Sequence, residues 1–246
     1  MNNTSGLYDI HCHFVPGVDD GSDSIEESLW LLEQEYNDGV RTILVTPHFR
    51  YEMFEPPMDL VKKQFRLLKE ASSQKFGSSL RLYLGCELHI SQDMTDQLDE
   101  GNRLTLANSD YVLTEFSTYD SKNTIREHVQ KLTNRGYFPI IAHIERYESV
   151  FGDYEFMKQL RSLGAKIQIN ADSVCGVDGF SMKRYTKKLM KNNLVDYIAS
   201  DGHDRNHRAP HLGKAYQTTL KWMGEDYANE LFITNPRKII DFWKKS

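Results

Sequence analysis

Seven short apolar runs, each followed by a longer amphipathic stretch, limit what this chain can fold into. The runs are Leu7–His11, Arg41–Thr46, Arg81–Glu87, Tyr111–Glu115, Phe138–His143, Lys166–Asn170 and Val195–Ser200. Each is bounded by polar residues or glycine, and several are rich in β-branched residues, as strands buried on both faces are. Strands that alternate with helices imply crossover connections and a parallel α/β architecture. The pattern predicts a distorted, incomplete TIM-like barrel of seven parallel strands, with an open doubly wound sheet as the alternative. The 246 residues suit a single domain over 1–246, large enough to form its core without disulfides or a structural metal.

The intervening stretches carry helix signals. Ser24-Ile25-Glu26-Glu27 reads as a capping box. Ile25, Leu29, Leu32 and Tyr36 follow at helical spacing, and Gly39 ends the helix. Segments 59–75, 123–135, 154–163, 180–192 and 212–223 read as helices, and Asn235-Pro236 opens a last one. Residues 49–58 read as an aromatic, Pro-containing loop, a lid or rim over a site, whose Phe49, Tyr51 and Phe54 either offer a surface on which a substrate ring could stack or pack on a neighbouring helix or bury a subunit contact.

The placement of His, Asp and Glu is the functional signal. His11 and His13 end the first run with i, i+2 spacing, which puts both on one strand face. His48 follows the second run, Glu87 ends the third, Glu115 the fourth and His143 the fifth, while Asp201 and His203 follow the seventh. Six of seven strands thus bring a ligand-type residue to their C-terminal ends, where parallel α/β folds place active sites. Asp19 or Asp20 adds a further carboxylate. Converging carboxylates repel unless cations neutralise them. Three divalent ions would leave the pocket net positive, and Arg146 and Arg208, close in sequence to ligands, would add to that. Such a pocket attracts a phosphate dianion. Oxygen and imidazole donors without thiolate suit manganese, with iron or zinc as alternatives, in an open catalytic site. Cys12, between two ligands on the opposite face, is expected to pack in the core.

The segments Asp9-Ile10-His11-Cys12-His13, Val18-Asp19-Asp20-Gly21, Thr46-Pro47-His48, Gly85-Cys86-Glu87, Ile141-Ala142-His143-Ile144-Glu145-Arg146-Tyr147 and Ala199-Ser200-Asp201-Gly202-His203 span almost the whole chain. In this order they resemble the bacterial polymerase-and-histidinol-phosphatase superfamily. Within it, the chain is similar to the manganese-dependent tyrosine-protein phosphatases encoded with capsule and exopolysaccharide genes. The resemblance implies a distorted parallel barrel with two or three divalent ions. It implies that His11, His13, Glu87 and Asp201 hold one ion, that Glu87, Glu115 and His143 hold a second, and that Asp20, His48 and His203 help hold a third. It implies phosphate contacts from Arg146 and Arg208. It also implies a phosphotyrosine protein as partner, in the tail of a bacterial tyrosine autokinase, and a role in tuning polysaccharide export. Arg208-Ala209-Pro210 departs from the family's Arg-Pro-Pro.

The expected reaction is attack on phosphorus by metal-activated hydroxide, with no covalent enzyme intermediate. Cysteine-based chemistry needs Arg six residues after the nucleophile, but Val18, Gln92 and Ser181 stand six after Cys12, Cys86 and Cys175. A small-molecule phosphatase, such as one for histidinol phosphate, is the main alternative. A nuclease and a non-enzymatic scaffold are the others. The net charge of −5 and pI of about 6 give no sign of a nucleic-acid partner. No run approaches the roughly 18 apolar residues of a membrane span, and the first residues carry no signal-peptide pattern. Three scattered cysteines fit a reducing cytoplasm. Homo-oligomerisation is compatible with the sequence.

Overall fold

The computed structural model describes residues 6–242; Met1–Ser5, part of the N-terminal stretch that carries no signal-peptide pattern, lie outside them. The strands are β1 (Leu7–Asp9), β2 (Val40–Val45), β3 (His48–Phe49), β4 (Arg81–Leu84), β5 (Glu87–His89), β6 (Tyr111–Glu115), β7 (Phe138–Ile141), β8 (Lys166–Asn170) and β9 (Tyr197–Ala199). The helices are α1 (Ile25–Asn37), α2 (Met58–Phe76), α3 (Met94–Asp99), α4 (Lys122–Asn134), α5 (Tyr154–Ser162), α6 (Ala171–Cys175), α7 (Phe180–Lys191), α8 (Leu212–Met223), α9 (Glu225–Asn229) and α10 (Asn235–Phe242). The expected second strand runs on past Pro47 into β3, and the third is broken at Gly85-Cys86 into β4 and β5. A Cβ on Gly85 would lie 2.6 Å from a Leu106 methyl and 3.3 Å from its Cα, so the break favours a residue without a side chain.

Every ladder is parallel, in the orders β1-β2-β4 and β3-β5-β6-β7-β8-β9. Two links close the sheet on itself. His13 N donates to Gly202 O at 2.8 Å and Asp201 N to His11 O at 2.8 Å, which joins the end of β1 to the end of β9. Glu87 N donates to Pro47 O at 3.1 Å, carrying the chain over the break. Among the described residues no ladder joins β4 to β6, and the turn Leu106–Asn108 fills that gap. The result is the distorted, incomplete barrel that the alternating pattern predicts.

Side-chain alternation sorts the core. Tyr8, Ile10, Leu44, Leu113, Ile140 and Tyr197 form an interior cluster that Ile239 and Ile240 of α10 complete. Ile43, Val45, Ile141, Ile167, Ile169 and Ile198 face the other way and pack under the helices. Each such side chain contributes about 1.5–3 kcal/mol by leaving water. Ser24 caps α1 by accepting from Glu27 N at 3.2 Å. Glu27 reaches back to Asp23 N rather than to its own cap residue, and its other oxygen meets Arg205, tying α1 to the loop after β9. The short helices α3, α6 and α9 were not expected from the sequence; each is five or six residues, too short to show a helical period. Among the described residues no helix is long and apolar enough to cross a membrane.

Candidate active site

The C-terminal strand ends converge on one pocket. His11 Nε2 lies 3.2 Å from His13 Nε2, 3.2 Å from Glu87 Oε2 and 3.4 Å from Asp201 Oδ1. His13 Nε2 lies 3.3 Å from Glu87 Oε2 and 3.5 Å from Asp201 Oδ1. A tetrahedral ion with bonds of about 2.1 Å holds its donors roughly 3.4 Å apart; the donors of His11, His13 and Asp201 already have that spacing, and Glu87 Oε2 stands at the same distance from both imidazoles. His143 Nε2 sits 3.0 Å from Glu87 Oε1 and 3.8 Å from Glu115 Oε1. Asp20 Oδ1 sits 3.6 Å from both His48 Nε2 and His203 Nε2. Donors of His13, Asp20, His48 and His203 lie within 4.8 Å of one another, as do those of His48, Glu87 and Glu115. All nine ligand-type residues expected from the sequence are thus brought together, and these clusters can hold divalent ions.

Unpartnered atoms make the same point. Among the described residues, Glu87 Oε2, Glu115 Oε2, His48 Nδ1, His143 Nδ1 and His203 Nε2 are buried with no hydrogen-bond partner. Buried polar atoms rarely go unsatisfied, and a cation would serve those that face the cluster.

The remaining polar groups orient the donors. His11 Nδ1 donates to Gln168 Oε1 at 3.2 Å, which leaves its Nε2 lone pair for the cluster. Gln168 Oε1 also accepts from His143 N at 2.9 Å, and Gln168 Nε2 donates to Asn170 Oδ1 at 2.8 Å. Asn170 Nδ2 in turn donates to Asp201 Oδ2 at 2.6 Å. The one expected strand without a ligand, observed as β8, therefore links three ligands. Asp19 accepts from His13 Nδ1 and from His48 N, both at 2.8 Å, so it braces ligands while Asp20 faces the cluster. Gly21 lets this loop close, since a Cβ there would meet His13 O at 2.0 Å. Sequence reasoning missed Gln168 and Asn170. Their signal was two polar residues at i, i+2 in an otherwise apolar buried strand, Lys166-Ile167-Gln168-Ile169-Asn170.

Asp201 divides its two oxygens. Oδ1 faces the imidazoles, while Oδ2 accepts from Arg146 at 3.0 Å and Arg208 at 2.9 Å. Both guanidiniums are half-buried at the pocket's edge, Arg208 also lies 4.0 Å from Asp20 Oδ2, and each carries more N–H donors than its bond to Asp201 uses.

Burial disfavours every charge here, and the direction of each pKa shows which neighbours overcome it. Burial would raise Glu87, but His11 and His48 hold it well below the usual carboxylate range. Burial would raise Asp201, but His11, His13, Arg208 and Arg146 hold it low as well. Burial would lower His13, yet Asp19, Asp201 and Glu87 raise it well above the ordinary imidazole value. His203 shifts the other way, lowered by burial and by His13 beside it. Glu115 is raised by burial and by the Glu87 carboxylate. The pocket demands positive charge, and protons and metal ions compete for the same donor atoms.

His143 and Asp201 both adopt left-handed backbone, with φ of 30° and 52°. For residues other than glycine this costs about 1–3 kcal/mol, and it turns each side chain into the mouth at the end of its strand.

The expected rim divides. Phe54 lies parallel over the His48 ring, with centroids 5.2 Å apart. Tyr51 is exposed, and its hydroxyl donates to Asp93 at 2.6 Å. Phe49 is not available to a substrate: strand alternation buries it, and the Arg103 guanidinium covers its ring at 3.4 Å.

Residues 7–241 match the family model described as capsular polysaccharide synthesis, CpsB/CapC. The chain belongs to this family. It is 36% identical over 239 residues to the tyrosine-protein phosphatase CpsB of Streptococcus agalactiae, covering 95% of this chain and 98% of that one. It is 28% identical over 226 residues to the tyrosine-protein phosphatase YwqE of Bacillus subtilis, covering 89% and 86%. Its fold superposes with a TM-score of 0.87, at 27% identity and over 95% and 94% of the two chains, on a structure from the crystallographic study of YwqE and Streptococcus pneumoniae CpsB, described as unique metal-dependent tyrosine phosphatases. A lactonase of Listeria monocytogenes shares the fold at a TM-score of 0.64 and 14% identity, over 97% and 95%.

Proposed function

We propose that this member of the family is a metal-dependent protein-tyrosine phosphatase. The observation that carries the reading is the convergence of His11, His13, Glu87 and Asp201, whose last member also holds Arg146 and Arg208. In this reading Glu87, Glu115 and His143 serve a second ion, and Asp20, His48 and His203 help hold a third. Divalent ions held there, manganese first and iron or zinc next, would supply Lewis acidity and lower the pKa of water to near neutral.

The chain's own residues do the rest. Arg146 and Arg208 bind the phosphoryl oxygens and neutralise them as charge shifts to the leaving group. Planar guanidiniums suit this better than ammonium groups would. Gln168, Asn170 and Asp19 hold the imidazoles and carboxylates in register. Phenol has a pKa of about 10, so a tyrosine leaves without a strong general acid. Thiolate chemistry has no support: burial raises all three cysteines, Cys12 well above the usual thiol value and Cys175 to about 11. The substrate assigned here is phosphotyrosine in the tail of a bacterial tyrosine autokinase, acted on in the cytoplasm in the control of polysaccharide export.

Steady-state kinetics on matched phosphotyrosine and phosphoserine peptides, alongside histidinol phosphate, tests this. Chelation should abolish turnover, and manganese should restore it better than magnesium, which prefers an all-oxygen octahedron. Full activity in a preparation shown by elemental analysis to be metal-free would overturn the metal reading. Equal kcat/KM on the two peptides, or a preference for histidinol phosphate, would overturn the tyrosine assignment.

A further inference from the structure

Beyond the segment that carries Arg146, a cleft of about 360 Å³ is lined by Phe151, Tyr154, Phe180, Arg184, Tyr185 and Lys188. Its wall is fixed: the Phe151 and Tyr185 rings lie 4.0 Å apart between centroids, and Gly152 N donates to the Tyr185 hydroxyl at 3.0 Å. Its rim is unusually apolar, with Phe180 73% and Phe151 52% exposed.

The charge is one-sided. Helix α7 carries Lys183, Arg184, Lys187, Lys188 and Lys191 and no acidic residue, in a chain of net charge −5. Lys183 and Lys187 turn toward the Trp222 ring. Phe180, Arg184 and Lys188 recur every four residues and so form one stripe along the helix. Among the described residues neither Arg184 nor Lys188 pairs with a carboxylate, and acids nearby are engaged elsewhere: Asp153 with Lys122, Glu155 with Lys158, Asp178 with Ser173.

The cleft is also close to the phosphate end of the pocket. Phe151 follows Arg146 by five residues, a reach of at most about 18 Å. The chain turns back within that span, since Phe151 N donates to Tyr147 O at 3.1 Å. An extended peptide covers such a distance in about five or six residues.

We propose that this cleft holds an acidic segment of the substrate protein, next to its phosphotyrosine. Its carboxylates meet Arg184 and Lys188, and one apolar side chain lies against Phe151 and Phe180. The proposal rests on the phosphotyrosine reading and specifies the substrate class within it: acidic residues with an interspersed apolar one, within about six residues of the phosphotyrosine.

The test pairs two phosphotyrosine peptides, one with Asp and Glu in the flank and one with Asn and Gln in their place, with p-nitrophenyl phosphate as a substrate too small to reach the cleft. Wild-type kcat/KM should favour the acidic peptide by on the order of tenfold at low salt, and the preference should shrink as salt is added. The double variant R184E/K188E should lose the preference and keep turnover of p-nitrophenyl phosphate. Fluorescence anisotropy with the unphosphorylated acidic peptide reads docking without catalysis, so an inactive preparation does not hide the answer. Equal kcat/KM on both peptides in wild type would overturn the docking proposal while leaving the phosphatase reading intact. So would an unchanged preference in the double variant, or binding to phosphatidylserine vesicles without binding to the peptide.

Discussion

On the β1–β9 side of the barrel mouth, each of His11, His13, Asp201 and His203 is braced by a second polar group, whereas in residues 49–58 the aromatic side chains mainly pack against other rings and only the Tyr51 hydroxyl among them makes a hydrogen bond. Strand register positions the first set and loop packing the second. The contrast separates two tasks. Metal donors need placement to a few tenths of an ångström, which buried strands provide, while a surface that meets a variable peptide needs only shape and apolar area. Substitutions on the first side should therefore change metal content and kcat, and those in the loop beyond the ligand His48 should change KM alone.

The largest effect should come from Asp201→Ala. It removes a donor from the cluster and strands two guanidiniums and Asn170. Breaking a buried charge pair costs about 3–5 kcal/mol, so a lower thermal midpoint is expected together with metal loss by elemental analysis and activity near background. Gln168→Leu sharpens the contrast, because it leaves every ligand in place and removes only what orients them. Loss of such a partner typically costs about 10- to 100-fold in metal affinity or activity, measured here by metal titration and kcat. Wild-type affinity in this variant would show that β8 has no positioning role.

Arg208→Ala should keep its metal and lose one phosphate contact. A lost charge-assisted hydrogen bond costs about 1.5–3 kcal/mol, or roughly 10- to 150-fold in kcat/KM. Metal loss in this variant would move Arg208 from phosphate binding to ligand support. The smallest effect is expected at the opposite side. Phe54→Ala removes a ring on which the substrate's phenyl would stack, a contact worth about 0.5–1.5 kcal/mol, so KM for a phosphotyrosine peptide should rise up to about tenfold at constant kcat. A fall in kcat with metal loss would mean that Phe54 holds His48 in place and that the two sides are not separate.

The same division decided what the sequence disclosed. Ligands at strand ends are legible because a period of two fixes the face and the run's end fixes the height, as for His11 and His13 or Asp201 and His203. The choice between Asp19 and Asp20 was not legible, since both sit in a loop whose course depends on Gly21 closing on His13. The break in the third strand was hidden because Gly85-Cys86 interrupts neither its hydrophobicity nor its length. Phe49 was placed on the rim because the second strand's continuation past Pro47 left only two residues to signal it. Gln168 and Asn170 look like ordinary polar residues until the partners of β8 are known.

The left-handed backbone at His143 and Asp201 sets selection for robustness against selection for turnover. Glycine occupies that conformation without penalty, so both positions store free energy that a mutation could release. A laboratory search for heat resistance scored on folding alone would be drawn to replacements at residue 143, where no salt-bridged arginine would be stranded. The survivors would be sturdier and inert, and only a parallel screen for catalysis would expose them.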